Sequence, residues 1–105
     1  MSEPRRGEVW LVDLGMAAKV RPCLVLSVPV LDTERALATA VAHTTSARGT
    51  RFEVAVRSPL LRTGVFDAQN LITVPHAKYL RKLGTLTDNQ VQTVESVVRS
   101  WLGFQ

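Results

Sequence analysis

The sequence predicts a mainly β fold: a small, strongly curved, barrel-like sheet with one α-helix packed against it at the C-terminal end. Three observations carry that expectation. Short apolar runs recur through the first eighty or so residues, separated by turn residues. The stretch 85–104 switches to the helical period. The chain has 105 residues, 46% of them hydrophobic, which suits a single domain over 1–105 with one real core.

Each element has its own signal. "GEVWLVDLG" (7–15) reads as a strand closed by Gly15. "PCLVLSV" (22–28) is nearly continuous in apolar residues, the pattern of a strand covered on both faces. "ALATAVAHTT" (36–45) has enough alanine for a helix, but Thr39, Val41, Thr44 and Thr45 favour a strand. "RFEVAV" (51–56) alternates charged and apolar residues, a strand with one wet face. "QNLITV" (69–74) is a fifth strand, stopped by Pro75. "AKYLRKLGTL" (77–86) predicts a short strand near 78–80 and a turn at Gly84.

The closing helix is the best-marked element. Val91, Val94, Val97, Val98 and Trp101 recur at helical spacing. Thr87 with Gln90 three residues later forms a capping box, and Leu86 can staple onto Val91. Asp88 near the start and Arg99 near the end both suit the helix dipole, and Gly103 suits the position just past the end.

The totals exclude several classes. No apolar run approaches the ~20 residues of a membrane span. The opening "MSEPRRGEVW" has no apolar signal region, and Cys23 is the lone cysteine, so the expected setting is cytoplasmic. His43 and His76 are the only histidines, and no carboxylate pair stands at ligand spacing, so neither a metal nor another cofactor is expected. There is no glycine-rich phosphate loop and no nucleophile elbow. Cys23 lies inside an apolar strand and reads as a small buried hydrophobe.

Charge points to a partner. The net charge is +4 and the isoelectric point about 10.0. The cations fall mostly between apolar runs, in loops and at strand ends. That distribution fits either a solvated surface or a phosphate-rich ligand.

Two stretches could hold a phosphate. In "KVRP", Pro22 biases Arg21 towards an extended backbone, which gives its guanidinium a defined exit. Arg21 can also be an ordinary strand-entry arginine paired with Asp13 or Asp32. In "HTTSARGTR" (43–51), hydroxyls and turn amides follow an apolar strand, with Arg48 and Arg51 flanking Gly49. The same stretch can be a plain polar hairpin loop. Trp10 and Trp101 are candidate stacking platforms for bases, although mid-strand and helix-stripe positions favour packing.

Taken in order, "RRGEVWLVDLG", "VRPCLVLS", "AVAHTTS" and "LGTLTDNQVQTVESVVRSWLGF" resemble the MazF/PemK family of toxin endoribonucleases. The resemblance runs from about residue 5 to the C-terminus. It implies an SH3-like barrel of the kind shared by MazF, PemK and CcdB toxins, with a C-terminal helix, usually as a homodimer. It implies metal-independent, sequence-selective cleavage of single-stranded RNA. It also implies inhibition by a cognate acidic antitoxin, with DNA reached only through that antitoxin. Arg21 matches the family's catalytic arginine and Thr44 the hydroxyl residue that works with it. Thr45 and Ser46 continue the motif, and His76 falls where the family has a polar substrate-contacting residue. The chain departs from the family between Leu14 and Arg21, where relatives usually carry a longer loop and here only "GMAAKV" stands.

The implied chemistry uses the RNA's own 2′-hydroxyl as nucleophile and leaves a 2′,3′-cyclic phosphate and a 5′-hydroxyl. Arg21 and Thr44 would stabilise the phosphorane. His76 and His43 are the acid–base candidates on pKa grounds, though alternation sends His43 to the face opposite Thr44. Lys19, Thr45, Ser46, Arg48, Arg51 and Lys78 are the expected RNA contacts. Two other outcomes stay open at this point: an RNA- or DNA-binding relative that does not cut, and a gyrase-directed toxin on a related barrel.

Overall fold

The computed structural model describes residues 3–17 and 19–104. Six strands and one helix follow in the order β1 (Glu8–Asp13), β2 (Val20–Val25), β3 (Leu37–Thr44), β4 (Glu53–Val54), β5 (Val65–Pro75), β6 (Tyr79–Thr85) and α1 (Asp88–Leu102). A 3-10 turn at His76–Lys78 joins β5 to β6. The strands form one antiparallel sheet in the order β4-β5-β3-β2-β1-β6. The mainly β architecture with a closing helix is as expected, but the sheet is open. The short strand β4 and the strand β6 stand at opposite ends of it.

Both faces of the sheet are buried. On one face Val9, Leu24, Val41 and Phe66 pack with Val91, Val94 and Val98 of the helix. On the other, Trp10, Val12, Cys23, Val25, Ala40 and Tyr79 form a second cluster. This is why β2 reads as a continuous apolar run: Cys23, Leu24 and Val25 are all fully buried, on alternating faces. Burying one such valine or leucine contributes about 1.5–3 kcal/mol. The alanines at Ala38, Ala40 and Ala42 belong to this second layer, so their small size serves sheet packing and not a helix.

The helix forms as its caps predict. Thr87 Oγ1 accepts from the Gln90 amide at 3.2 Å, and the Thr87 amide donates to Gln90 Oε1 at 3.0 Å. Leu86 and Val91 share the core. Gly103 takes a left-handed conformation with φ 77°, and the Gly103 and Phe104 amides close the last turn onto Ser100 and Arg99. An Arg6–Glu95 ion pair ties the N-terminal segment to the helix flank.

Three elements differ from the sequence reading. The fourth strand is two residues long, because Glu53 draws the preceding loop into a tight turn instead of a ladder. The fifth starts at Val65, well before Gln69. The sixth runs through Gly84, which is no turn. Val9 pairs with Gly84 and Trp10 with Lys82, so Leu83 is the extra residue of a bulge. A Cβ there would stand 2.6 Å from Leu60 Cδ2, so any other residue would make the Leu60 side chain move aside.

Candidate functional site

The site is built at the end of β2 where the ladder stops. The Val25 carbonyl accepts from Gly7 and the Leu26 amide donates to Thr39, so odd residues of β2 bond towards β1 and even ones towards β3. Pro22 is even, and it has no N–H to give to β3. The β2–β3 pairing accordingly ends at Cys23–Ala42. Continued two places, the same register puts Arg21 across from Thr44, on the face of Cys23 and Ala42. Pro22 thus does more than direct Arg21: it unzips the strands beside it.

Arg21 and Thr44 line one open cleft of about 280 Å³. Ser46, Arg48, Glu53, Asp67 and Asn70 line the same cleft. Thr44 Oγ1 accepts from the Ser46 amide at 3.0 Å, which orients the hydroxyl and leaves its own proton to be donated. Glu53 organises the following loop. Its carboxylate accepts the amides of Arg48 (2.9 Å), Gly49 (2.7 Å) and Thr50 (3.0 Å). Those bonds, from Arg48 first, hold its proton affinity below the usual carboxylate range. Gly49 at φ 78° permits the turn.

Asp67 and Asn70 arrive through an irregularity in β5. Val41 pairs with Leu71 and His43 with Phe66, so residues 67–70 stand across from Ala42 alone. The Gln69 amide donates to Asp67 Oδ1 at 3.0 Å within this bulge. Gly64 lets the chain approach the site from the other side. A Cβ there would collide with the Thr44 carbonyl oxygen and stand 2.8 Å from His43 Cε1.

The other expected residues are distributed as follows. His43 faces away from the cleft, packed edge-on against Phe66 with ring centroids 5.0 Å apart. Burial lowers its pKa, and Nε2 is buried without a hydrogen bond. His43 and Thr45 line a second, more apolar cleft with Leu60, Arg62 and Arg81. Arg21 borders both clefts. His76 lies in the 3-10 turn after β5. Lys78 sits 3.9 Å from Asp13, and Lys19 closes the β1–β2 hairpin with φ 57°. Arg51 stacks over the Phe52 ring at 4.5 Å, and Phe52 meets Trp101 edge-on at 5.2 Å. Of the ten expected residues, the first cleft gathers Arg21, Thr44, Ser46 and Arg48. Sequence reasoning missed Glu53, Asp67, Asn70 and Gly64. The "TG" before β5 was the available signal for the last.

Two further residues are settled by their surroundings. Burial pushes the Cys23 thiol up to about 12, against the pull of the Arg21 charge, so Cys23 is no nucleophile. Trp10 is a core residue. Its indole donates to Glu8 at 3.0 Å and its ring meets Tyr79 edge-on.

A six-stranded antiparallel sheet with a C-terminal helix, opening a polar cleft where an Arg-Pro strand meets a Thr-Ser strand end, defines a small, mainly β protein with a cation-bearing cleft. Residues 5–102 match the PemK-like, MazF-like toxins of type II toxin–antitoxin systems, and the chain belongs to that family. It is similar to an endoribonuclease from a mycobacterial species solved with its cognate antitoxin. That match has 28% identity, covers 97% of each chain and has a TM-score of 0.82. It is similar also to MazF from Deinococcus radiodurans, at 26% identity over 99% of this chain and 100% of that one, with TM-score 0.82. The MazE–MazF complex from the same organism shares the fold at TM-score 0.83 and 24% identity, over 100% of each chain.

Proposed function

We propose that this toxin is a metal-independent endoribonuclease that cuts single-stranded RNA at preferred sequences. The observation that carries this reading is the placement of Arg21 and Thr44 on one sheet face, lining one cleft. A phosphodiester held there meets a two-pronged cation and a hydroxyl donor oriented by Ser46. Those donors favour the dianionic phosphorane over the monoanionic ground state, which is the condition for catalysis. The 2′-oxygen attacks the adjacent phosphorus and the 5′-oxygen leaves, giving a 2′,3′-cyclic phosphate and a 5′-hydroxyl. Arg48 beside the cleft supplies charge for a neighbouring phosphate.

The similarity to an endoribonuclease solved with its cognate antitoxin supports an acidic antitoxin segment as the inhibitor, competing for the same basic surface. The working unit in this reading is a homodimer in the cytoplasm. Purified protein incubated with a long single-stranded RNA and EDTA should yield fragments with 5′-hydroxyl ends. Arg21→Ala should cut about 10²–10³-fold more slowly. RNA that is bound but left intact by the wild type would overturn the reading in favour of a non-cleaving binder.

A further inference from the structure

We propose that Asp67 is the carboxylate that takes the 2′-hydroxyl proton in the cleft, an assignment that rests on the endoribonuclease reading above. A base must lie on the face of Arg21 and Thr44 and must keep an oxygen or nitrogen available for the incoming proton. His43 fails the first condition, since it lies on the opposite face, buried against Phe66 at the wall of the second cleft. His76 lies in the turn beyond the far end of β5, where Pro75 pairs with Leu37 at the start of β3. Glu53 lines the cleft, but both its carboxylate oxygens already accept backbone amides, Oε2 from Arg48 and Oε1 from Gly49 and Thr50. Arg21 and Arg48 end in guanidinium groups, which offer donors only and no acceptor for a proton.

Asp67 meets both conditions. Phe66 pairs with His43, so alternation turns Asp67 to the face of Thr44. It lines the cleft with Arg21 and Thr44. Strands in a sheet lie roughly 4.8 Å apart, so the β5 residue is one strand from Thr44 and two from Arg21, a gap the long arginine side chain spans. One oxygen, Oδ1, is engaged by the Gln69 amide, which fixes the carboxylate's orientation. Among the described residues Oδ2 takes no hydrogen bond or ion pair. The placement depends on the bulge at 67–70, which brings an acid into the middle of a strand face otherwise filled by Ala42 and Ile72. The short hairpin between Asp13 and Val20 supplies no glutamate and no further aspartate of its own.

The step balances without a co-reactant. The 2′-O–H proton passes to the Asp67 carboxylate while the 2′-oxygen bonds to phosphorus. The bond from phosphorus to the 5′-oxygen breaks, and that oxygen takes a proton from water in the open cleft. Asp67 then returns its proton to solvent.

The test is the pH profile of RNA cleavage by the wild type and by Asp67→Asn, whose amide oxygen can still accept from Gln69. The variant should cut about 10²–10⁴-fold more slowly. The acid limb of the wild-type profile should vanish in it. Affinity for a strand carrying a 2′-deoxy sugar at the cut site should not change. Asp67→Ser, whose hydroxyl can also cap Gln69, should behave the same way and guards against a folding defect in the first variant. Wild-type cleavage with an unaltered rate and acid limb in both variants would overturn Asp67 while leaving the endoribonuclease reading intact. A loss of affinity that matches the loss of rate would make Asp67 an electrostatic support and not the base. A wild type that does not cut at all would remove both.

Discussion

Glu8 shows how a single charged side chain can be safe inside a small core. It is only 8% exposed. Burial alone would raise its pKa. A hydrogen bond from Lys82, the Trp10 indole, the Arg5 amide and the Lys82 charge together outweigh that, and the net shift is downward. Lys82 Nζ lies 2.9 Å from Oε2. A carboxylate whose folded pKa is depressed stabilises the protein above its unfolded value of about 4.3. That stabilisation fades as pH falls through the lower, folded pKa. Glu8→Gln should therefore lose about 1–3 kcal/mol at pH 7, and the gap to wild type should shrink on acidification below pH 4. Thermal melts from pH 7 to pH 3 measure it; a gap that is constant with pH would refute the linkage.

At the scale of elements, the clearest local signals became the most faithful structure. The capping box, staple and terminal glycine of α1 are all realised, because each is decided within a few residues. Thr87→Ala should cost about 1 kcal/mol. The readout is the denaturant midpoint at unchanged slope. The strands were legible as apolar runs, but their ends were not. The strand at 51–56 shortened because Glu53 satisfied three amides of its own loop, a choice that hydropathy cannot register. Gly84 read as a turn and proved to be a close contact with Leu60, a partner distant in sequence. Half of the cleft followed the same rule. Arg21, Thr44, Ser46 and Arg48 sit in two contiguous motifs and could be read from the chain. Asp67 and Asn70 enter through a pairing irregularity that exists only once β3 and β5 are in register.

For the whole molecule, the sheet's two faces have separate tasks. One carries the helix and the larger core. The other carries the second apolar layer and, where Pro22 ends the ladder, the cleft. Among the described residues no helix is long and apolar enough to cross a membrane. With a net charge of +4, RNA affinity in the proposed function should fall linearly on a log–log plot against salt. Arg48→Ala should make that slope shallower by about 0.7, the contribution of one single-strand phosphate contact. Filter binding of an uncleavable RNA from low to physiological salt provides the measurement. An unchanged slope would remove Arg48 from the contact set.

The bulge at 67–70 has a consequence for how such a protein can change over time. Gln69 and Asn70 pair with no residue of β3 or β4, so their identity is weakly coupled to the register that keeps the sheet in place, whereas Asp67 pairs with Glu53 and Ala68 belongs to the core. Substitution of Asn70 alters the lining of the cleft while the valines and leucines of both layers stay in step. A lineage can therefore revise what its cleft recognises at a single codon of one strand, without first finding a new way to fold.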